Sequence, residues 1–260
     1  MLRIGTAGWA IKREYKDAFS CEGSQLTRYA GGLNAVEINS SFYRPHKTAT
    51  YARWAQETRR GFSFAVKMPR AITHEARLHD AEPMLAKFFA ECGGLGAKLG
   101  CVLVQLPPRL AFDPSIAAGF FGAIRKIYRG GLALEPRHAS WFTQCAEDAI
   151  IRHGIARVAA DPVPAKLQDK DKQIAAVPGG SSNLVYWRLH GSPQIYYSGY
   201  DAGFLDELSR RLVADAQEKD VWCIFDNTAL GYATANALTL GEHLQTKCPA
   251  ILGSRGSSCL

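Results

Sequence analysis

Residues 35–41 read Ala-Val-Glu-Ile-Asn-Ser-Ser, and this short stretch shows the pattern that predicts the fold. An apolar run begins like a β-strand and then breaks into charged and polar side chains. A strand that is buried on both faces reads as a continuous apolar run, so the change to charge marks where the strand leaves the core. The same change occurs seven more times, at GTAGW from Gly5, FAVKMPR from Phe64, VQLPP from Val104, LEPRHASW from Leu134, AADP from Ala159, WRLHG from Trp187 and IFDNT from Ile224.

Helical patterns separate these eight strand ends, and this alternation predicts an α/β fold. We expect a single TIM-type (β/α)8 barrel over residues 1–260, with its active face at the carboxyl ends of the strands. The length of 260 residues agrees with this prediction, because such barrels have about 250 residues. Two smaller domains are the rival interpretation on length alone, but no Pro/Gly/Ser-rich linker divides the chain.

The strands and helices can be placed from hydrophobic periodicity and from capping residues. Strands are expected at residues 3–7, 35–40, 62–66, 101–106, 131–135, 156–161, 183–190 and 221–225. Helices are expected at residues 24–32, 47–58, 83–92, 113–128, 201–219 and 234–245. Residues 162–178 read as a polar excursion without a strong helix.

Composition restricts the class of protein and its partners. Lysine and arginine number 31 against 24 acidic residues, which gives a net charge of +7. This excess favours an anionic small molecule or a nucleic acid as partner, although the basic residues are scattered and a solvated basic surface also explains them. The start of the chain has no signal-peptide pattern and no apolar run is long enough to cross a membrane, so no membrane partner is expected.

The cysteines point to the compartment. They form no CxxC pair, and an odd, dispersed set is typical of reduced thiols in the cytoplasm rather than of a disulfide framework. We therefore expect a cytoplasmic protein. The seven residues are Cys21, Cys92, Cys101, Cys145, Cys223, Cys248 and Cys259.

Alternation along the strands predicts which side chains point into the barrel. In residues 36–41, Glu37, Asn39 and Ser41 share one face, while Val36 and Ile38 share the other. The same counting places charged residues of five more strands on inward faces, namely Lys67, Glu135, Asp161, Arg188 with His190, and Asp226. Charges are rarely buried unless they are paired, so this set predicts either a catalytic network at the barrel mouth or a structural plug.

The candidate catalytic residues follow from this network: Glu37, Lys67, Glu135, Asp161, Arg188 and His190. Four of them, Glu37, Glu135, Asp161 and His190, are the candidate ligands of a divalent metal, for which Mg or Mn is expected; no organic cofactor is implied. Lys67 has two interpretations, a Schiff base with a carbonyl substrate or an ion pair with Glu37 or Glu135.

Residues of the adjoining loops are candidates for substrate binding. Arg137 could hold a phosphate or carboxylate together with Arg188 and Lys67, and His74 and His138 lie close behind strand ends. Aromatic side chains of the same loops could stack on a base or a sugar, or could pack on one another as a lid; they include Trp9, Tyr43, Trp141, Tyr196 and Tyr197. The chain has no P-loop, no GxSxG elbow and no GxGxxG motif.

The blocks GTAGW, NAVEINSSFY, FAVKMPRAITH, VLVQLPP, EPRHASW, YWRLHG and FDNTALGYATANAL, in this order, closely resemble the domain of unknown function 72 (YecE-like) family. The resemblance implies a TIM-type barrel and no established activity. The positions that it marks are Glu37, Asn39, Lys67, His74, Gln105, Glu135, Arg137, His138, Trp141, Arg188, His190 and Asn227. Asp226 departs from the resemblance, since Asn is expected there at least as often.

Three functional hypotheses remain. The first is an enzyme that hydrolyses a phosphate ester, in nucleic acid or in a smaller molecule, with a divalent metal that activates water. The second is metal-free acid/base chemistry on a sugar-like or small acidic metabolite, with Glu37 and Glu135 as the carboxylate pair. The third is a non-catalytic barrel that binds an anion or a nucleic acid.

Overall fold

A computed structural model of the chain describes residues 1–181 and 183–248. Its strands are β1 (Leu2–Ala7), β2 (Ala35–Ile38), β3 (Ser63–Lys67), β4 (Leu99–Gln105), β5 (Gly131–Glu135), β6 (Ala156–Arg157), β7 (Ala159–Asp161), β8 (Gly179–Gly180), β9 (Leu184–Leu189) and β10 (Asp220–Phe225). Its α-helices are α1 (Gln25–Gly32), α2 (Ser40–Tyr43), α3 (Thr48–Gln56), α4 (Glu82–Cys92), α5 (Pro114–Ile127), α6 (Gln144–Arg152), α7 (Asp169–Ala175), α8 (Ala202–Ala216) and α9 (Tyr232–Lys247). The predicted strands are confirmed to within two residues at most ends.

The sheet runs in the order β7-β9-β10-β1-β2-β3-β4-β5-β6-β8. All neighbours pair in parallel except β6 and β8, which pair antiparallel. Strand β7 is at one end of this order and β6 is next to the other end, where β8 follows it. Only Val158 separates β6 from β7 along the chain, so they are two halves of the sixth strand of the barrel. Ala156 pairs with Ala133 of β5, and Ala159 pairs with Trp187 of β9. One bent strand thus closes the TIM-type barrel that the sequence predicts.

The two faces of the strands build two separate cores. Outward side chains such as Val36, Val66 and Val104 pack on the helices. Inward side chains form a second cluster in which small residues face large ones: Ala35, Ala65, Ala133 and Ala156 leave room for Tyr186 and Trp222. The rings of Tyr186 and Trp222 stack with centroids 6.0 Å apart. This layer fills the barrel below the charged residues, so the charged residues can lie only at the mouth.

Local sequence explains two helices that differ from expectation. Helix α6 was not predicted, yet Thr143 caps it and Ala146, Ala149 and Ile150 bury one face. The polar excursion at residues 162–178 contains α7, a seven-residue helix with two aspartates in its first turn. Short helices are marginal alone, and α7 depends on packing, since Asp171 and Ala175 are buried.

The six cysteines in the described part of the chain carry free thiols, and Cys259 lies outside it. In residues 1–181 and 183–248, every helix is too short or too polar to cross a bilayer.

Candidate active site

Arg188 is the centre of the charged network. It lies near the end of β9, on the inward face, and none of its surface is exposed. Its Nε and Nη2 donate to the two carboxylate oxygens of Glu37 at 3.1 and 2.7 Å. Nη1 donates to Glu135 at 2.6 Å and Nη2 also donates to Asp226 at 3.0 Å. One guanidinium therefore joins the carboxylates of three strand ends.

Glu37 lies at the bottom of the network. Its second oxygen also accepts a hydrogen bond of 2.8 Å from the hydroxyl of Tyr186, and neither Glu37 nor Tyr186 has exposed surface. Both carboxylate oxygens are thus occupied and shielded. Glu37 and Arg188 thus bind each other at the centre of the network, without exposed surface, and their catalytic roles stay a prediction.

Glu135 lies one layer higher, at the end of β5. Its oxygens accept from Arg188, from Gln105 at 3.0 Å and from Arg137. Burial opposes ionisation of this carboxyl group, but Arg137, Arg188 and His190 outweigh it and hold its pKa well below its usual range. Glu135 is therefore an anion at neutral pH.

His190 bridges two carboxylates. Its Nδ1 lies 3.0 Å from Asp226 Oδ2 and its Nε2 lies 3.2 Å from Glu135 Oε1. Burial favours the neutral imidazole, yet the hydrogen bonds to Asp226 and Glu135 raise the pKa of His190. Burial likewise opposes the charge of Asp226, but Arg188 and His190 lower its pKa. The Asp226 side chain is 12% exposed, so it is the carboxylate of this network that meets the solvent.

Lys67 lies at the end of β3, on the same inward face. The residue is buried, and its Nζ lies 4.3 Å above the ring of Phe42. Nζ forms no salt bridge or hydrogen bond with any residue in 1–181 or 183–248. The interpretation of Lys67 as the ion-pair partner of Glu37 or Glu135 is therefore wrong, because Arg188 occupies both carboxylates. Burial, followed by the charge of Arg188, lowers the pKa of Lys67.

Phe42 connects Lys67 to His74. The rings of Phe42 and His74 meet edge to face at 5.0 Å, and His74 Nδ1 lies 2.8 Å from the hydroxyl of Thr73. Burial and the charges of Lys67, Arg70 and Arg137 lower the pKa of His74. Lys67, His74 and Arg137 thus share one electropositive side of the mouth.

Three of the candidate site residues keep a polar atom that is buried and has no hydrogen-bond partner among residues 1–181 and 183–248: the Oδ1 of Asn39, the Nε of Arg137 and the Oδ1 of Asn227. Buried polar atoms are nearly always hydrogen-bonded, so a bound molecule is one explanation for them. Asn227 has no exposed surface, and its Nδ2 donates to Ser198 and Asn236. Its amide nitrogen thus anchors a loop, and its role at the site stays a prediction.

Asp161 lies on the other side of the barrel wall, contrary to prediction. In the sixth strand Val158 is inward and Ala159 is outward, so alternation turns Asp161 outward. Its Oδ1 accepts a hydrogen bond of 2.9 Å from Tyr200.

Of the four predicted metal ligands, Glu37, Glu135 and His190 meet in the network around Arg188, whereas Asp161 does not. Asp161 is remote from the Glu37 and Glu135 carboxylates, which already accept from Arg188. In the described ranges no group of three or more His, Cys, Asp or Glu residues is arranged to hold a metal ion. The residues present do not fit a divalent metal.

The predicted aromatic platform is only partly formed. Trp141 is 1% exposed and its Nε1 donates to the carbonyl of Leu110, so its prediction as a binding residue is wrong. Trp9 is half-buried and meets Trp54 edge to face. The exposed members lie at the rim: Tyr43, Tyr196 and Tyr197.

Two of these rim and loop residues have specific neighbours. Tyr196 lies over His190, with the ring centroids 6.1 Å apart. The side chain of His138 caps the 3-10 helix Ala139–Phe142.

Two site residues are not among those expected from the sequence: Tyr186, the partner of Glu37, and Phe42 as the contact of Lys67. Tyr186 could have been found, because it precedes Arg188 by two residues and so shares its face. The contact of Phe42 could not, since it depends on how helix α2 turns back over β3.

Comparison with known proteins places this geometry in a family. The model of the family described as "Protein of unknown function DUF72" matches residues 3–256. The UPF0759 protein YecE of Escherichia coli K12 is 25% identical over 158 residues, which are 60% of this chain and 55% of that protein. The chain thus matches about half the length of this curated relative.

Two solved structures share the fold. A DUF72 family protein of Enterococcus faecalis V583 has a TM-score of 0.75 at 21% identity, over 94% of this chain and 96% of that one. A DUF72 family protein of Thermotoga maritima MSB8 also has a TM-score of 0.75 at 21% identity, over 94% of this chain and 99% of that one. The matched family model spans nearly the whole chain, and the chain belongs to the DUF72 family of proteins of unknown function.

Proposed function

We propose that this protein is an enzyme that binds a small acidic metabolite at the carboxyl end of the barrel and acts on it by acid/base chemistry without a metal. One observation carries the proposal. The mouth of the barrel holds two cationic side chains with unused hydrogen-bond donors, Arg137 and Lys67, beside the hydrogen-bonded chain Asp226–His190–Glu135. TIM barrels place their active sites at this end.

Arg137 is the anchor for the anionic group. One nitrogen of its guanidinium, Nη2, donates to Glu135. Its buried Nε–H has no partner among the described residues. A guanidinium has a fork of donors that matches carboxylate and phosphate. Lys67 and His74 add to the positive potential around it. An anion placed here would satisfy a donor that the protein leaves open.

Asp226 is the group that exchanges the proton. Its Oδ2 is held by Arg188 and His190, whereas its Oδ1 accepts no hydrogen bond from the described chain. A proton taken by Oδ1 can pass to solvent or be balanced by the His190 imidazolium beside it. Proton transfer by a positioned group contributes typically about 10²–10⁴-fold to a rate.

Metal-dependent hydrolysis of a phosphate ester, alone or in nucleic acid, is the competing proposal. Its support is the charge of +7 and the same electropositive mouth. Its weakness is the ligand set, because Arg188 occupies the position between the carboxylates that an ion would take. The cytoplasmic location stays part of either proposal, and the free thiols support it.

The test is a thermal-shift screen of the purified protein against inorganic phosphate, small carboxylates, short oligonucleotides, Mg²⁺, Mn²⁺ and chelator. A ligand at 100 times its Kd stabilises the folded state by about 2.7 kcal/mol. We expect phosphate or a carboxylate to raise the Tm of the wild type and of Arg129→Gln, which removes a charge at the opposite end of the barrel, but not of Arg137→Gln.

Stabilisation by a metal ion would contradict this proposal. If Mg²⁺ or Mn²⁺ raises the Tm and Glu135→Gln abolishes the effect, the metal-dependent proposal replaces ours. Stabilisation by oligonucleotides alone would favour a nucleic acid partner.

A further inference from the structure

In the described residues two lysines have a pKa that burial lowers, Lys67 and Lys98. Only the amine of Lys98 forms hydrogen bonds with the protein. Lys98 Nζ donates to the carbonyls of Ala55 and Thr58 and to the Thr58 hydroxyl, at 2.6, 2.5 and 2.9 Å. Within the described residues Lys67 Nζ forms no hydrogen bond or salt bridge and lies over the face of Phe42. The protein therefore stabilises the ammonium of Lys98 and leaves that of Lys67 without acceptors.

In the described residues no carboxylate lies within salt-bridge distance of Lys67, although the charges of Glu37, Glu135 and Asp226 act on it from farther away and raise its pKa. Each of these three carboxylates is bound to Arg188 instead. Arg188 is a fixed cation that cannot be deprotonated in proteins, and its charge opposes a second cation on β3. A lysine that is desolvated and placed near another cation is the usual form of an amine nucleophile.

The position of this amine matches a reacting group rather than a surface charge. Lys67 ends β3 on the inward face, beside the mouth where Arg137 and Asn39 keep buried atoms without partners. The Asp226–His190 pair is close enough that the charge of Lys67 acts on Asp226. An amine, an anion anchor and a proton donor thus meet in one place.

We propose that Lys67 is the nucleophile of this site and forms an imine with a small carbonyl compound that carries a carboxylate or a phosphate. This inference rests on the proposed function, because Arg137 must hold the anionic group. It adds the class of substrate, a 2-oxo acid or a phosphorylated ketone, and the covalent step.

The step balances without any other reactant. The neutral Nζ attacks the carbonyl carbon, a C–N bond forms and the carbonyl oxygen leaves as water. One proton of that water comes from Nζ and the other comes from the Asp226–His190 pair. The product is an iminium that keeps one N–H and the positive charge, and no atom is oxidised or reduced.

The experiment is reductive trapping on the full-length protein. Wild type is incubated with cyanoborohydride and with pyruvate, dihydroxyacetone phosphate or uncharged hydroxyacetone, and the modified lysine is located by peptide mass mapping. We expect an adduct on Lys67 with one of the two charged compounds and little on Lys98, which is the internal control. Each unit by which a lysine pKa falls gives about tenfold more neutral amine at a given pH.

Arg137→Gln separates the two parts of the inference. It should lower trapping by the charged compound to a much greater extent than trapping by hydroxyacetone. Equal trapping of charged and uncharged compounds by the wild type would retain the nucleophile and overturn the anionic substrate class.

A third result overturns the nucleophile alone. If phosphate or a carboxylate stabilises the protein through Arg137 but Lys67 is trapped no faster than Lys98, the proposed function stands and Lys67 is an ammonium that helps to hold the anion. If neither stabilisation nor selective trapping is found, both proposals fail.

Discussion

Arg188 shows how one side chain can organise a site. Its guanidinium has no exposed surface and binds three carboxylates. We expect Arg188→Met to lower the free energy of unfolding by about 3–5 kcal/mol, because it leaves buried charges without a partner. Urea unfolding followed by circular dichroism measures this change.

The control is Arg210→Met on the exposed side of α8. Arg210 also forms two salt bridges, with Asp206 and Glu207, but its side chain is 61% exposed. Exposed ion pairs contribute little, so its unfolding midpoint should remain near that of the wild type. Equal midpoints for both variants would show that the buried network is not needed for stability.

Single residues were predictable from the sequence where strand phase alone decides them. Glu37, Lys67, Glu135 and Arg188 were assigned to the inward face by a count of two, and they are inward. Their roles were not predictable, because the count does not say which carboxylate binds Arg188 and which meets the solvent. Those facts depend on side-chain lengths across the barrel.

For the sixth strand the same count gives the wrong face for Asp161, which points outward. Counting by two predicts Asp161 on the inward face, but the result depends on which residue of the strand the count starts from. The small inward residues Ala156 and Val158 fix the phase here, and from them Asp161 must turn outward. A strand's phase is best read from its middle, where burial is unambiguous.

The approach of β1 and β2 gives a prediction for an element. Gly5 pairs with Ala35, and a Cβ on Gly5 would lie 2.1 Å from the carbonyl oxygen of Ala35. Because backbone must move to admit it, we expect Gly5→Ala to destabilise the protein by about 1–3 kcal/mol. The unfolding midpoint in urea is again the measurement.

Gly119 is the matched control for Gly5. It lies inside α5, and a Cβ there meets nothing within 4 Å. Since Ala is the better helix former, Gly119→Ala should stabilise the protein by about 0.5–1 kcal/mol. Destabilisation by both substitutions to a similar degree would contradict the close packing of β1 on β2.

At the scale of the whole molecule, the interior and the surface carry their charges differently. The barrel encloses Glu37, Glu135 and Asp226 with three cationic side chains, Arg188, Arg137 and Lys67, and with His190, so the acidic groups are balanced within the mouth. The net charge of +7 therefore belongs mostly to the surface and did not predict the site. The (β/α)8 alternation did predict the fold, because each strand and helix is encoded locally.

The buried charges also make the stability of the folded barrel depend on pH. The pKa values of Glu135 and Asp226 lie below their usual values of 4.5 and 3.8. Their contribution is complete above those values and is lost as the pH falls through the lower folded-state values. The pKa of His190 lies above its usual value of 6.5, so its contribution is complete below 6.5 and is lost as the pH rises.

Asp226→Asn tests this dependence, since it removes one acidic group and one carboxylate oxygen whose hydrogen bond raises the pKa of His190. Urea midpoints measured from about pH 3 to about pH 9 should fall less steeply on both sides than those of the wild type. In Asp206→Asn the fall of the urea midpoint at low pH should be the same as in the wild type, although the pKa of Asp206 is also lowered, to about 2. Asp206 is exposed, so solvent and salt screen its attraction to Lys247 and Arg210. A wild-type profile in Asp226→Asn would mean that the network titrates as one unit around Glu135, with Asp226 contributing no proton of its own.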